Sequence, residues 1–299
     1  MEAQQGKESN YIYEMLEKDF FVCKQQFLNE SGLIPEGKEL LVYLVDDHES
    51  FTPSISREFG DGQQRISFEK DYLRAIYEFV STDVAKFSDA EYKSSVQICR
   101  LVANSILYNS FLHEFTHFIR NHHEALDSIN LSDKDATKLV ELDADTIAAC
   151  MLWDFLQTTN LSRKMKVMAL VMGIRGQFEI VHRYFKEKEL VSAYGLPPVS
   201  RAYIAITNVA TSPYFNDNLL EVEAALELLY LEDKLFADSV AADIKIEEIM
   251  SDLHFWHDKQ NLIASFAHAT FKEPTFFSKS TAKKRKVMGA LQEAINTML

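Results

Sequence analysis

Neither glycine nor proline occurs between Ser94 and His122. Within this segment the apolar residues recur at steps of three and four, which is the spacing of one helix face. The chain of 299 residues has only nine glycines and six prolines, so we expect a mostly helical α+β fold with a small sheet. The segment itself predicts one long buried helix, whose apolar face comprises Val96, Cys99, Val102, Ile106, Phe111, Phe115, Phe118 and Ile119.

Other segments predict the remaining elements. Leu40–Val45 is a short apolar run and Gln64–Phe68 alternates after a glycine-containing turn, so both are predicted strands of one sheet. Ser132 precedes two aspartates and is a predicted N-cap for a second long helix, which ends near Gln157. A third helix is predicted from Ser162 to about Lys188.

The charge and the cysteines exclude several functional classes. The formal net charge is -14, and an acidic surface repels nucleic acids and anionic membranes. Three cysteines without a CxxC pair favour neither a disulfide framework nor a thiolate zinc site. The N-terminus is polar and no apolar stretch is long enough to span a bilayer. We therefore expect a cytoplasmic protein without a nucleic-acid or membrane partner.

The sequence HExxH occurs inside the predicted long helix, at His113, Glu114 and His117. Residues four apart lie on one helix face, so the two imidazoles can bind one metal ion. Burying them without a partner would be costly, and a metal ion supplies that partner. Zn²⁺ lowers the pKa of a bound water to about 7, and Glu114 beside it can act as the general base.

Zinc requires a third protein ligand, and two residues are candidates. His123 has the spacing of the metzincin pattern HExxHxxGxxH, but Arg120 stands where that pattern has glycine. Glu141 lies on the second long helix, with Asp145 one turn later on a face of small residues. We favour Glu141 as the ligand, and Asp145 as the acceptor for the free N–H of a ligand histidine.

Residues 113–117 and 141–145 together resemble the HExxH and ExxAD signature of gluzincin metallopeptidases. The resemblance implies a zincin-like core, in which an HExxH helix packs on the helix that carries the glutamate ligand. It makes His113, His117 and Glu141 the zinc ligands, Glu114 the general base and Asp145 the acid behind the ligands. In several of these families a further histidine follows the HExxH helix, and His122 stands at that kind of position. The alternative is that His122 belongs to an ordinary polar helix end.

The chain length and motif order are also similar to those of the phage-exclusion peptidases of the Lit type. That resemblance implies a zinc endopeptidase that cuts a folded cytosolic protein, such as a translation elongation factor, when infection supplies an activating protein or peptide. The same motifs fit regulatory peptidases that cut repressors. The resemblance covers residues 94–201. From the pattern along the chain we expect an N-terminal α/β part with substrate-edge strands (1–92), a zinc-binding helical part (93–210) and a C-terminal helical layer (211–299), either as separate parts or as one domain.

A hydrolase of this kind needs a donor for the oxyanion. Arg201 and His182 are the leading candidates, because both lie in segments that can fold back over the metal helix. Tyr184 and Tyr194 are further candidates. Gln64–Phe68 is either the strand on which an extended peptide lies or an interior strand with no ligand.

Two other functions are compatible with the same residues. One is a zinc-bound interaction or sensor module without proteolytic activity, although a purely structural site has no use for Glu114. The other is a zinc hydrolase that acts on something other than a peptide, since HExxH specifies an activated water but leaves the electrophile open.

Overall fold

The computed structural model describes most of the N-terminal and central chain and a short part of the C-terminal layer. The described residues are 13–22, 24, 34, 36–46, 51–57, 63–82, 96–184, 196–210 and 246–267. The predicted C-terminal layer, residues 211–299, therefore lies outside them except for 246–267, and Tyr194 lies outside them as well.

In the described residues a small mixed sheet accompanies the helices. β1 (Glu39–Val45) and β3 (Gln63–Glu69) pair in parallel along their whole length, and β2 (Ser54–Ile55) pairs antiparallel with β3, in the order β1-β3-β2. The two predicted strands are thus confirmed as neighbours. Of the two alternatives for Gln64–Phe68, the interior strand is confirmed and the peptide-binding edge is wrong, because β3 lies between β1 and β2. β2, which the sequence did not predict, is an edge strand of this sheet.

The long predicted helix is divided near its end. α3 (Val96–Ile119) is followed by a turn and then by α4 (His122–Ser128). Asn121 in this turn has φ 53° and ψ 46°, a left-handed conformation that asparagine tolerates better than most residues do. Apolar periodicity predicted a continuous helix because it does not report the backbone conformation of one polar residue.

The other predicted helices are present. α5 (Asp133–Gln157) begins at its predicted N-cap, where Ser132 Oγ accepts a hydrogen bond from the Asp135 amide at 3.2 Å. α6 (Arg163–Tyr184) is the third predicted helix, and residues 185–195 beyond it lie outside the described part. The described elements also include α1 (residues 13–22), α2 (Lys70–Thr82), α7 (Pro198–Ala210), α8 (Ile246–Lys259) and α9 (Asn261–Ala264).

α3 lies at the centre of the helical layer, in contact with α2, α5 and α6. α6 approaches α3 closely at Gly173, where a Cβ atom would lie 2.9 Å from the backbone oxygen of Ser105. Glycine at this position therefore permits the close packing. Phe111, Phe115 and Thr116 of α3 are all fully buried. This helix therefore holds polar as well as apolar side chains inside the protein.

One hydrophobic core joins the described parts of the chain. It includes Phe20 and Phe68 from the N-terminal part, Leu139 from the central part and Trp256 from the C-terminal layer. α8 packs against α5 and α7. Among the described residues no helix combines the length and the hydropathy needed to cross a bilayer.

Candidate metal centre

Three buried side chains from two helices converge in a group that can bind a metal ion: His113 and His117 of α3, and Glu141 of α5. The two histidine Nε2 atoms lie 3.1 Å apart. Glu141 Oε2 lies 3.5 Å from His113 Nε2, and Glu141 Oε1 lies 3.7 Å from His117 Nε2. Ligands about 2.0–2.2 Å from one ion in tetrahedral geometry are separated by roughly 3.3–3.5 Å, so this donor set fits such an ion.

Behind His113 and Glu141 lies a second layer of charged groups. His113 Nδ1 is 2.9 Å from Asp145 Oδ1, within hydrogen-bonding distance although the ring N–H does not point along that line. Arg201 donates from Nε to Asp145 Oδ2 at 2.7 Å and from Nη2 to Glu141 Oε2 at 2.7 Å. The guanidinium therefore joins the two acids, and its carbon lies 5.0 Å from the centroid of the Phe178 ring.

His117 is supported from a different direction. Its Nδ1 lies 2.8 Å from His122 Nδ1, and His122 Nε2 lies 3.0 Å from Asp143 Oδ2. Arg120 donates from Nε to the same Asp143 oxygen at 2.9 Å. His122 and Asp143 are at most 1% exposed, so this row of polar groups is enclosed in the protein.

The charges of the cluster follow from burial and from these contacts. Burial lowers the pKa of His113, but Asp145 and Glu141 outweigh it and raise that pKa to about 10. Burial lowers the pKa of His117 well below its usual value. For Glu141 burial acts to raise the pKa, but Arg201 and the two histidines hold it far below its ordinary value. The Glu141 carboxyl is therefore ionised at neutral pH.

Glu114 lies beside the three possible ligands, and its Oε1 is 4.0 Å from His113 Nε2. Burial raises the pKa of this carboxyl to about 8, while the charge of His113 and a hydrogen bond from the Ile55 backbone amide oppose the shift. Ile55 belongs to β2, so this hydrogen bond holds β2 against α3. A carboxyl with a pKa near neutrality can both take up and deliver a proton.

A cavity of about 350 Å³ opens over the cluster. β2 and the residues before it form one wall, including Thr52, Pro53 and Ser54. Apolar side chains from α4, α5 and α6 form the others, among them Leu126, Val140, Phe178 and Val181. Glu114 and the three possible ligands line the same cavity, so a molecule bound there can reach this group of side chains.

The remaining predicted residues differ in where they lie. Arg201 lines the cavity, whereas His182 is not among the residues that do, and Tyr184 is half exposed at the end of α6. His123, the alternative third ligand, also lines the cavity, but it is not part of the group of three close donors. The roles of Arg201 and His182 as oxyanion donors stay predictions.

Sequence reasoning did not single out several residues of the site. Asp143 is two residues after Glu141, so its side chain lies about 200° further around α5. It shares a helix face with Leu139 and Ile147, which are both buried. A carboxylate at a core position indicates a buried partner, and that signal could have identified it. Gln177 also lines the cavity and its Oε1 accepts a hydrogen bond from Asn109 Nδ2 at 2.7 Å. No local motif marks Gln177.

Comparison with protein-family models, curated proteins and solved structures finds no match to this chain. The functional assignment therefore depends on the geometry of the site.

Proposed function

We propose that this protein is a zinc-dependent peptidase that hydrolyses a peptide bond in a cytosolic protein. The observation that carries the proposal is the convergence of His113, His117 and Glu141 beside an acid, Glu114, at the floor of one cavity. Two imidazoles and one carboxylate are the donor set of several catalytic zinc sites, which keep a fourth position open. The helix pair α3 and α5 with the adjoining small sheet is also the arrangement expected of a zincin-like core.

In this proposal each residue has a defined task. His113, His117 and Glu141 hold the zinc ion, which supplies an acidified water molecule when bound. Glu114 would act as the general base beside the ion, accepting a proton there and delivering it to the leaving amine. Burial raises the pKa of Glu114 to about 8 without a metal ion, and a bound cation would lower it, so the carboxyl would then be ionised and able to act as a base. Asp145 holds His113, and Arg201 holds both Asp145 and Glu141.

The cavity supports a peptide substrate over a small molecule. β2 lies at an edge of the sheet and borders the cavity. Ile55 is paired with Ile66 of β3, and its backbone amide donates a hydrogen bond to Glu114. An extended peptide can add to such an edge through main-chain hydrogen bonds. The apolar walls at Leu126, Val140 and Phe178 can accept the side chains that flank the cleaved bond.

The resemblance to phage-exclusion and regulatory peptidases extends the proposal. It suggests a cytoplasmic protease with a protein substrate and an activating protein or peptide. The two motifs support this part of the proposal, and its test follows the detection of hydrolytic activity.

The experiment compares wild type with Glu114→Gln and with Glu78→Gln, which changes an exposed carboxylate on α2. Each purified protein is analysed for bound metal and incubated with a proteome-derived peptide library, and new termini are read by mass spectrometry. We expect zinc in all three proteins and new termini with wild type and Glu78→Gln only. Zinc without cleavage in wild type would support the sensor module, and wild type without metal would contradict the proposal.

A further inference from the structure

Three buried residues form a row behind His117, on the side away from Glu141. His122 Nδ1 is 2.8 Å from His117 Nδ1, and His122 Nε2 is 3.0 Å from Asp143 Oδ2. Arg120 completes the row with its Nε 2.9 Å and its Nη2 3.4 Å from the two Asp143 oxygens. Arg120 is 4% exposed, His122 1% and Asp143 0%, so water does not compete for these contacts.

With His117 and His122 both neutral, the distances allow one consistent placement of their protons. A histidine nitrogen that binds a metal carries no proton, so His117 with Nε2 as the ligand atom is protonated on Nδ1. The contact between His117 and His122 joins two nitrogens, and one must donate while the other accepts. His122 Nδ1 is then the acceptor, which leaves the His122 proton on Nε2, where it is donated to Asp143.

The opposite placement of the two protons conflicts both with the contact at Asp143 and with metal binding by His117. If His122 Nδ1 donated to His117, a neutral His122 would face the Asp143 carboxylate with an unprotonated Nε2, placing two acceptors 3.0 Å apart. His117 would also carry its proton on Nε2, the atom that faces His113 and Glu141. Such a His117 could not bind an ion in the cluster.

We propose that His122 and Asp143 are positioning residues that fix His117 in the Nδ1–H tautomer and so prepare its Nε2 for a metal ion. Arg120 holds the Asp143 carboxylate in place. The inference rests on the metal site of the proposed function, but it is independent of whether the site hydrolyses peptides.

The helix geometry explains why a histidine stands between the acid and the ligand. Glu141 and Asp145 are four residues apart on α5 and share a face, so Asp145 reaches His113 directly. Asp143 points about 200° away from Glu141 and its carboxylate meets His122 instead. The left-handed Asn121 turns the chain so that His122, five residues after His117, returns to it.

The test uses a matched pair of substitutions. In His122→Gln the amide oxygen can accept from His117 and the amide nitrogen can donate to Asp143, so the hydrogen-bond polarity is retained. His122→Leu has neither group. His254→Leu, on an exposed part of α8, is the control for loss of a histidine.

Two measurements are made on each protein. The tautomer of His117 is read from ¹H–¹⁵N correlations of the imidazole nitrogens in the metal-free protein, and zinc affinity is measured by competition with a chromophoric chelator. We expect the Nδ1–H tautomer in wild type, His122→Gln and His254→Leu. In His122→Leu we expect mixed tautomers and zinc affinity about 10- to 100-fold weaker.

The proposal is overturned if wild-type His117 carries its proton on Nε2, or if folded His122→Leu binds zinc as tightly as wild type does. The tautomer of His117 in the wild-type protein tests the proposal even if His122→Leu does not fold. A wild-type protein that shows the expected tautomer but binds no metal would contradict the proposed function and leave the hydrogen-bonded row intact.

Discussion

Arg201 donates one hydrogen bond to Glu141 at 2.7 Å and holds Asp145 with two others, at 2.7 and 2.9 Å. A single guanidinium thus forms ion pairs with Glu141, the proposed ligand, and with Asp145, the acid beside His113. All three side chains are nearly buried. Loss of this cation would leave two carboxylates in a poorly solvated place, where an unpaired charge is strongly unfavourable.

We expect Arg201→Leu to lower the free energy of unfolding of the metal-free protein by about 3–5 kcal/mol, the usual effect of breaking a buried ion pair. Arg201→Lys should recover only part of this loss, because an ammonium group cannot reproduce the bidentate contact with Asp145. Urea unfolding followed by circular dichroism measures both variants. Equal stability of Arg201→Leu and wild type would contradict the ion-pair role.

The third ligand can be tested by metal content. Glu141→Ala removes the only carboxylate in the His113, His117 and Glu141 group, and we expect it to lose most of its zinc. Glu114→Gln should keep the metal, because Glu114 is not part of that group. Elemental analysis after dialysis measures both. Full zinc occupancy in Glu141→Ala would remove Glu141 from the ligand set.

Metal binding should release a proton. His113 has a pKa of about 10 in the metal-free protein, so it is cationic at pH 8, and it must lose a proton to bind a metal ion. Because the pKa of His113 is raised, protonation of this imidazole competes with metal binding at every pH below about 10. Metal affinity should therefore increase about tenfold per pH unit up to pH 10 and level off above it.

Calorimetry in buffers of different ionisation enthalpy counts the released protons. At pH 8 we expect about one from His113 and a further fraction from Glu114, whose pKa is about 8. Affinity that is constant between pH 7 and pH 10 would contradict the proposed charge of His113.

The left-handed turn makes a prediction about stability. Asn121 has φ 53°, and a β-branched residue there is strained by about 1–2 kcal/mol, whereas glycine is not strained. We expect Asn121→Val to lower both the unfolding free energy and zinc affinity, since the turn places His122 against His117. Asn121→Gly should keep more of the unfolding free energy and of the zinc affinity than Asn121→Val does. Thermal unfolding and chelator competition compare the two variants.

The oxyanion donor can be sought among three side chains. Arg201 and Gln177 line the cavity and His182 does not. If the proposed hydrolysis is correct, we expect Gln177→Leu to lower kcat by about 10² to 10³ without loss of zinc, as removal of one oxyanion donor does in known hydrolases. His182→Leu should have a smaller effect. A larger effect at His182 would restore it as the leading donor and remove Gln177.

The sequence alone was sufficient wherever one helix carries the relationship. His113 and His117 are four residues apart, as are Glu141 and Asp145, so the helical repeat puts each pair on one face. Ser132 as an N-cap and the strands near Leu40 and Gln64 were likewise local signals, and the structure contains each of them.

Relationships between elements required the tertiary structure. Sequence gave no indication that β2 is the strand beside Glu114, that Arg201 meets Glu141, or that His122 joins His117 to Asp143. Spacing along a helix is fixed by its hydrogen bonds, and it is the same in any protein. The approach of residues about 60 positions apart is set by how α5, α6 and α7 pack, which depends on many weak contacts together.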